Sequence, residues 1–356
     1  MSRGPEPSTP GAYAGRRMSD LAATPGTASG TETAGSGDLE AALEQHRVEL
    51  TGYCYRMLGS AFEVDDAVQE TLVRAWRGFD RFEGRSSLRS WLYRIATNVC
   101  FDMLNARQRR ARPMDLGPSS TVDSTLTLGA PLPETTWIEP VPDGRVLPES
   151  GDPAEVAVAR ESVRLAFVAA LQHLPPRQRA VLILREVLRW KADEVADLLD
   201  TSVASVNSAL QRARSTLAAS DRSAPDLSEP MDDAQQVLLS RFVDAFERYD
   251  LDSIASLLHD DVVQSMPPYD LWLRGYADIR RWWLGPGIGC RGSRLVPTVA
   301  NGSPAFGQYK PSDTGSLEPW ALLVVESSGD RINEMTFFLD VARLFPLFGL
   351  PARFEP

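Results

Sequence analysis

A nucleic-acid strand is gripped by cations at its phosphates and by aromatic faces at its bases. One stretch of this 356-residue chain, "FEGRSSLRSWLYRIATNVCFDMLNARQRRAR", carries both at close spacing. Trp91 and Tyr93 stand among Arg89, Arg94 and Asn98, Phe82, Ser86 and Ser87 precede them, and Arg107, Arg109, Arg110 and Arg112 follow. The terminal arginines suit phosphates, a contact that adds affinity without sequence information. A second stretch, "TSVASVNSALQRARSTL" (201–217), carries Ser205, Asn207, Ser208, Gln211, Arg212 and Arg214. Asn and Gln at a groove-facing position can pair with adenine. Taken alone, Trp91 could equally be a core residue, and the second stretch one helix of a bundle that never meets DNA.

These residues need elements to hold them. Ser86 or Ser87 can cap a long helix whose apolar stripe holds Leu88, Trp91, Leu92, Ile95, Ala96 and Val99. Upstream, "EVDDAVQETLVRAWRGF" puts Val64, Ala67, Val68, Leu72 and Trp76 on one stripe, with Asp65, Asp66, Gln69, Glu70 and Arg74 on other faces. Before it, Leu50, Cys54, Met57 and Leu58 recur at helical spacing. Farther on, "AEVAVARESVRLAFVAALQHL" reads as one amphipathic helix, and "PPRQRAVLILREVL" as a helix with proline at its start. "KADEVADLL", the turn "DTS" and a helix with Val203, Val206, Leu210, Ala213 and Leu217 inward form a helix-turn-helix pattern capped by Ser202.

Charge divides the chain. The net charge of −11 breaks down as −1 over residues 1–39, +2 over 40–112, −7 over 113–159, +3 over 160–222 and −8 over 223–356. Within the first basic module, 40–83 carries −4 and 84–112 carries +6. Fields act within about a Debye length, so the acidic total does not exclude nucleic-acid binding by either module. Residues 1–39 read as a disordered tail, 113–153 as an acidic flexible linker and 220–230 as a second linker, each from its Pro, Gly, Ser and Thr content. Cys54, Cys100 and Cys290 lie far apart, and with His46, His173 and His259 they form no metal-ligand spacing. No cofactor, zinc site or disulfide framework is expected. The absence of a long apolar run and of a secretory leader points to a cytoplasmic protein without a membrane partner.

The ordered run "DDAVQETLVRAW", "EGRSSLRSWLYRIATNVCFD" and a basic end resembles region 2 of the extracytoplasmic-function (ECF) sigma factors of the sigma-70 family. The resemblance implies that Asp65, Asp66, Gln69, Glu70 and Arg74 face the clamp helices of core RNA polymerase. It implies that Phe82, Ser86, Ser87, Arg89, Trp91, Tyr93 and Asn98 lie by the melted minus-10 strand, with Arg107, Arg109 and Arg110 near its backbone. Residues 154–219 resemble sigma region 4, which reads the minus-35 element next to the polymerase flap. The family commonly places two cations at the start of that recognition helix. Here the positions read Ala204, Ser205, Val206, Asn207, Ser208 and Ala209, so a minus-35 preference does not transfer from other members.

Residues 231–350 exceed what such a factor needs. Two helices, a strand "VVQSMPPY", a short helix "GYADIRRWWLG" and two strands around a Gly-Asp turn suggest an α+β cone. The order resembles the SnoaL-like fold, and the whole chain resembles actinobacterial ECF sigma factors of the SigG-like branch. The expected fold is therefore multidomain: all-α region 2 (40–112), all-α helix-turn-helix region 4 (154–219) and an α+β SnoaL-like domain. That last domain would regulate in cis and take a small-molecule ligand, its candidate pocket residues being His259, Asp261, Tyr269, Trp272, Trp283 and Asp340. The expected role is a transcription-initiation subunit rather than an enzyme, with core polymerase and promoter DNA as partners. Two alternatives stay open: a ligand-responsive helix-turn-helix regulator acting without polymerase, and a cyclase-like or isomerase-like enzyme fused to DNA-binding modules.

Overall fold

The computed structural model describes residues 39–105, 109–123, 126–148, 152–219, 233–312 and 315–354. The tail 1–38, Arg107 and the linker 220–230 lie outside the described residues.

The first helical module packs α1 (Arg47–Leu58), α2 (Glu63–Gly78) and α3 (Leu88–Leu104). Tyr53, Cys54, Met57, Leu72, Leu92 and Cys100 fill its core. Gly59, at φ 70°, ends α1 in the left-handed conformation that a side chain would resist. The Ser87 hydroxyl caps α3 by accepting from the Ser90 amide at 3.1 Å.

The second module begins differently from its sequence. The stretch expected as one helix is two, α4 (Pro153–Glu161) and α5 (Leu165–Gln172), broken at 162–164. The break has a cause: Arg56 Nε and Nη2 of α1 donate to the Ser162 hydroxyl at 2.9 and 2.7 Å, and Asn301 takes the Val163 carbonyl. Those polar groups hold the chain out of the helical ladder. Next come α6 (Pro176–Leu182), which runs into a wider turn over Ile183–Val187, then α7 (Ala192–Leu198) and α8 (Val203–Ala219). The Ser202 hydroxyl accepts from the Ser205 amide at 3.2 Å and starts α8.

The C-terminal domain wraps α9 (Asp233–Glu247), α10 (Leu251–Leu257), α11 (Tyr276–Leu284) and α12 (Val341–Leu347) about a six-stranded sheet in the order β2-β1-β6-β5-β4-β3. The strands are β1 (Leu258–Ser265), β2 (Trp272–Arg274), β3 (Arg294–Ala300), β4 (Ser303–Pro311), β5 (Leu317–Ser328) and β6 (Arg331–Phe338). Within this sheet β1 and β6 pair in parallel and the other neighbours are antiparallel. The hairpin β3–β4 turns at Asn301 and Gly302, both with positive φ. "ANGS" is thus an Asn-Gly hairpin signal that the sequence reading passed over. No described helix is long and apolar enough to cross a membrane.

The segment expected as a flexible linker is, in its described parts, packed. Trp137, Ile138, Val141 and Val146 are buried. Its polar composition concealed a set of apolar anchors, because they are spaced irregularly and fit no helix or strand period.

Candidate nucleic-acid interface

The 3.6-residue period places Val64, Ala67, Val68, Thr71, Leu72 and Ala75 of α2 inward. Asp65, Asp66, Gln69, Glu70 and Arg74 are consequently exposed on one acidic face. Arg74 donates to Glu70 Oε1 at 2.7 Å and to Asp102 Oδ2 of α3 at 3.2 Å. Asp65 meets Arg145 of the linker. Trp76 departs from the expected stripe. Ala75 takes the inward place at that turn, and Trp76 is 51% exposed at the end of the acidic face.

The expected minus-10 residues divide. Trp91 is half-buried against Phe82, ring centroids 4.9 Å apart, with Phe79 at 6.4 Å, so an aromatic cluster forms where α3 begins. Ser86 and Asn98 are exposed. Tyr93 is not a surface residue: it is fully buried, its hydroxyl donates to Glu49 Oε2 at 3.2 Å, and burial pushes its pKa well up. A Tyr at that position follows the inward face set by Leu92 and Ala96. Arg89 turns back onto Glu49 at 2.7 Å and lies over the Tyr93 ring. Arg110 is also buried. It donates to the Glu134 and Trp137 carbonyls at 2.9 and 2.6 Å and pairs with Glu63 at 3.0 Å, so it anchors the linker instead of offering itself to phosphate. Arg109 reaches His173 Nδ1 at 2.7 Å.

On α8, Val206, Leu210 and Ala213 face the core, while Ser205, Asn207, Ser208, Gln211 and Arg212 are exposed. Val203 was expected inward and is 42% exposed, one turn ahead of the first buried position. Arg214 is exposed and pairs with Glu186 at 2.5 Å.

The two helical modules are docked on each other. Trp190, buried between α6 and α7, packs at a tilt against Tyr93 with centroids 5.1 Å apart, and Arg94 of α3 donates to the Asp197 carbonyl of α7 at 2.8 Å. Arg179 of α6 donates to the Met57 carbonyl at the end of α1 and to Gln172 Oε1 at 2.7 Å. Arg56 and Arg179 are buried without a carboxylate, and burial lowers each to a pKa of about 10. Both stay cationic: Arg56 donates to the Ser162 hydroxyl and the Ala159 carbonyl, and Arg179 donates through both terminal nitrogens to carbonyl and amide oxygens while its Nε is left without a partner. The C-terminal domain joins the same junction. Asn301 Nδ2 donates to the Tyr55 hydroxyl at 2.6 Å and to the Val163 carbonyl at 2.7 Å, and its Oδ1 accepts from the Val141 amide at 3.0 Å. Arg343 of α12 lies over the Phe62 ring at 3.8 Å and pairs with Glu134 at 2.5 Å and Glu139 at 3.3 Å.

Three family models match parts of the chain. Residues 42–110 match sigma-70 region 2, 164–217 match sigma-70 region 4, and 239–333 match a SnoaL-like domain. The chain is 46% identical over 319 residues to the ECF RNA polymerase sigma factor SigG of Mycobacterium tuberculosis, covering 88% of this chain and 84% of that one. The chain belongs to the ECF sigma factors. The ECF sigma factor SigJ of the same species is 30% identical over 222 residues, 62% of this chain and 61% of that one. The SigJ crystal structure shares the fold, with a TM-score of 0.55 and 23% identity over 89% of this chain and 99% of that one.

In this ECF sigma factor the expected pocket residues are scattered. His259 and Asp261 are exposed at the start of β1, their only mutual bond running from the Asp261 amide to His259 Nδ1 at 3.2 Å. Tyr269 packs on the outside of the core, and Trp272 donates to the Gly117 carbonyl at 3.0 Å. Asp340 borders the linker junction beside Arg343 at 3.3 Å. Only Trp283 lines the internal cavity, where its Nε1 donates to Gln264 Oε1 at 2.8 Å. Gln264 and Gln308, which the sequence reading missed, are the buried polar groups there. The signal for Gln264 was a polar residue at an inward position of "VVQSM", flanked by apolar neighbours.

Proposed function

We propose that the outward face of α2 docks on core RNA polymerase, that α3 and its preceding loop hold the melted minus-10 strand, and that α8 reads the minus-35 element of promoter DNA. The observation that carries this is the exposure of both expected faces on modules that share a family with polymerase sigma factors. On α3 and its preceding loop the proposal rests on Phe82, Ser86, Trp91 and Asn98, whereas Tyr93 and Arg110 have structural roles. Such a factor works where the chromosome is, in the cytoplasm.

The docked arrangement is a resting state. The two promoter elements are separated by about 25 base pairs, roughly 85 Å at 3.4 Å per pair. Modules held together by Trp190 on Tyr93 cannot span that distance, so they separate on engaging polymerase. The C-terminal domain and the linker brace the closed state through Asn301 and Arg343, which is the regulatory role assigned to them.

Run-off transcription with purified core polymerase tests the reading. Stimulation from a promoter of the same genome is expected, and none from any such promoter would overturn it. Asp66→Arg tests the docking face directly, since unchanged affinity for core polymerase removes that assignment.

A further inference from the structure

We propose that the groove between region 2, region 4 and the segment joining them binds one aliphatic carboxylate, its head on Arg56, and that the bound molecule holds the two DNA-reading modules together. The groove has a volume of about 850 Å³. Small-molecule sites run from about 300 to 1,000 Å³. Its walls come from separate parts of the chain: Arg56 of α1, Val146 and Leu147 of the joining segment, Val158 of α4, and Val187 and Leu188 beyond α6.

The head of the ligand follows from Arg56. This residue lines the groove, yet it is only 3% exposed, and among the described residues no carboxylate pairs with it. Nε and Nη2 are spent on the Ser162 hydroxyl, and Nη2 also on the Ala159 carbonyl at 3.2 Å. Nη1 has no acceptor among the described residues. Gly52 leaves the room that this nitrogen takes: a Cβ there would sit 2.9 Å from it and 2.7 Å from the Val146 carbonyl oxygen. Glu49 also lines the groove but is already engaged, with His46 Nδ1 at 2.5 Å, Arg89 Nε at 2.7 Å and the Tyr93 hydroxyl at 3.2 Å. Glu155 and Arg189 stand exposed at the rim and are opposite in sign. The uncompensated deep charge is therefore that of Arg56 alone. A buried cation with one idle nitrogen calls for a monoanion that accepts a charge-assisted hydrogen bond, and a carboxylate is that group.

The body of the ligand follows from the walls. None of the described lining residues is aromatic. Val146 and Leu147 are buried, and Val158, Val187 and Leu188 are half-buried. Aliphatic walls without a stacking face suit an alkyl chain, which gains about fourfold in affinity per buried methylene. These walls meet while the modules are docked. A molecule that touches α1, α4 and 187–188 at once binds the closed state and opposes its opening. The coupling is reciprocal, so separation of the modules on polymerase expels the ligand. The consequence for transcription rests on the sigma-factor reading, whereas binding does not.

Calorimetry on the full chain without polymerase tests the site with decanoate and with 1-decanol, which has the same chain and no charge. One-to-one binding of decanoate, about tenfold or more tighter than the alcohol, is expected from one charge-assisted hydrogen bond. Arg56→Met should erase that difference, with a thermal melt run alongside. Val158→Trp fills the groove and keeps every contact of Arg56, so it should weaken both probes at least tenfold; it decides the matter where Arg56→Met does not fold. Absence of saturable binding, binding of many molecules per chain, equal affinities of acid and alcohol, or unchanged binding to Val158→Trp overturns the site. Decanoate should lower run-off transcription by the native chain and spare that by Val158→Trp. Equal inhibition of both, or of neither, overturns the locking role. Calorimetry needs no promoter, so failure of the ligand site and failure of the promoter reading are told apart.

Discussion

The Asn301 amide nitrogen lies 2.6 Å from the Tyr55 hydroxyl, and through it the sheet domain is tied to the first helix of region 2. Tyr55 in turn donates to the Glu139 carbonyl of the linker at 2.8 Å. Asn301 also serves Val163 and Val141, so one side chain from a hairpin turn satisfies groups in region 2, region 4 and the segment that joins them. The turn itself is built for close approach. A Cβ at Gly302 would sit 2.5 Å from Arg160 Cγ and 2.8 Å from the Arg160 carbonyl oxygen. Asn301→Gly keeps the positive φ of 56° available while removing the side chain. It leaves the Val163 carbonyl and Val141 amide unpaired and is expected to cost about 2–3 kcal/mol. Denaturant unfolding of Asn301→Gly, Tyr55→Phe and the double variant should show coupling of about 1 kcal/mol; additive effects would mean that the two groups do not act through this bond.

Trp190 should behave as a latch between the DNA-reading modules. Its ring meets Tyr93 and Arg89, yet its Nε1 has no partner, so the contact is held by packing and by the cation over the ring. Trp190→Leu keeps an apolar group there and removes most of the ring contact. Energy transfer between dyes placed on regions 2 and 4 should then report a longer distance. Run-off transcription should rise several-fold, because less free energy opposes opening. An unchanged distance would show that Arg56, Arg179 and Asn301 suffice to hold the closed state.

The acidic face of α2 should be important for polymerase and unimportant for folding. Glu70 and Arg74 form an exposed helical pair, a class worth about 0.3–0.5 kcal/mol. Glu70→Ala should leave the melting temperature within about 1 °C and still weaken polymerase binding. Trp76 should contribute too, since a half-exposed indole beside a charged face resembles an interface anchor. Trp76→Ala is expected to lower polymerase affinity about tenfold without lowering stability, measured by a polymerase pull-down titration beside a thermal melt.

Most of this layout was legible in the residues, and the illegible part is specific. The inward rows of α2 and α8 followed from period alone, apart from Trp76, where Ala75 takes the buried place, and Val203, which lies one turn ahead of the first buried position. Helix caps at Ser87 and Ser202 followed from residue type. Tyr93 and Arg110 were misplaced for a common reason. Their residue types suit nucleic acid, and only tertiary contacts from Glu49, Glu63 and the linker show that they are already occupied. The break at Ser162 was invisible because Arg56 causes it from 106 positions away.

The exposed face of α8 should read sequence with little help from charge. Asn207→Ala and Gln211→Ala should each relax preference at one minus-35 position, by about 1–3 kcal/mol if the contact is bidentate. Arg212→Ala should weaken binding to all promoters alike and reduce the salt slope by about 1. Arg214, paired with Glu186, should contribute less until that pair opens. Binding to a randomised minus-35 library at several salt concentrations separates the two classes.

Glu326 should make the closed state sensitive to pH. It is buried on β5 opposite Glu334 of β6, with Glu161 and Arg164 of region 4 and Arg112 at the end of region 2 nearby. Arg112 meets Glu334 at 3.4 Å, and Glu326 Oε1 has no partner. Burial, reinforced by Glu334, raises the Glu326 pKa to about 7. The folded chain therefore holds a proton that the unfolded chain, titrating near 4.3, has lost. The stability this contributes is full below about pH 4 and is lost as pH rises through about 7. Between pH 6 and 8, where most carboxylates no longer titrate, unfolding free energy should fall with rising pH. Glu326→Gln keeps the volume and stays neutral, so it should flatten that slope and raise the melting temperature at pH 8. Thermal melts of both proteins across pH 5–8 measure it; parallel curves would place the titrating group elsewhere.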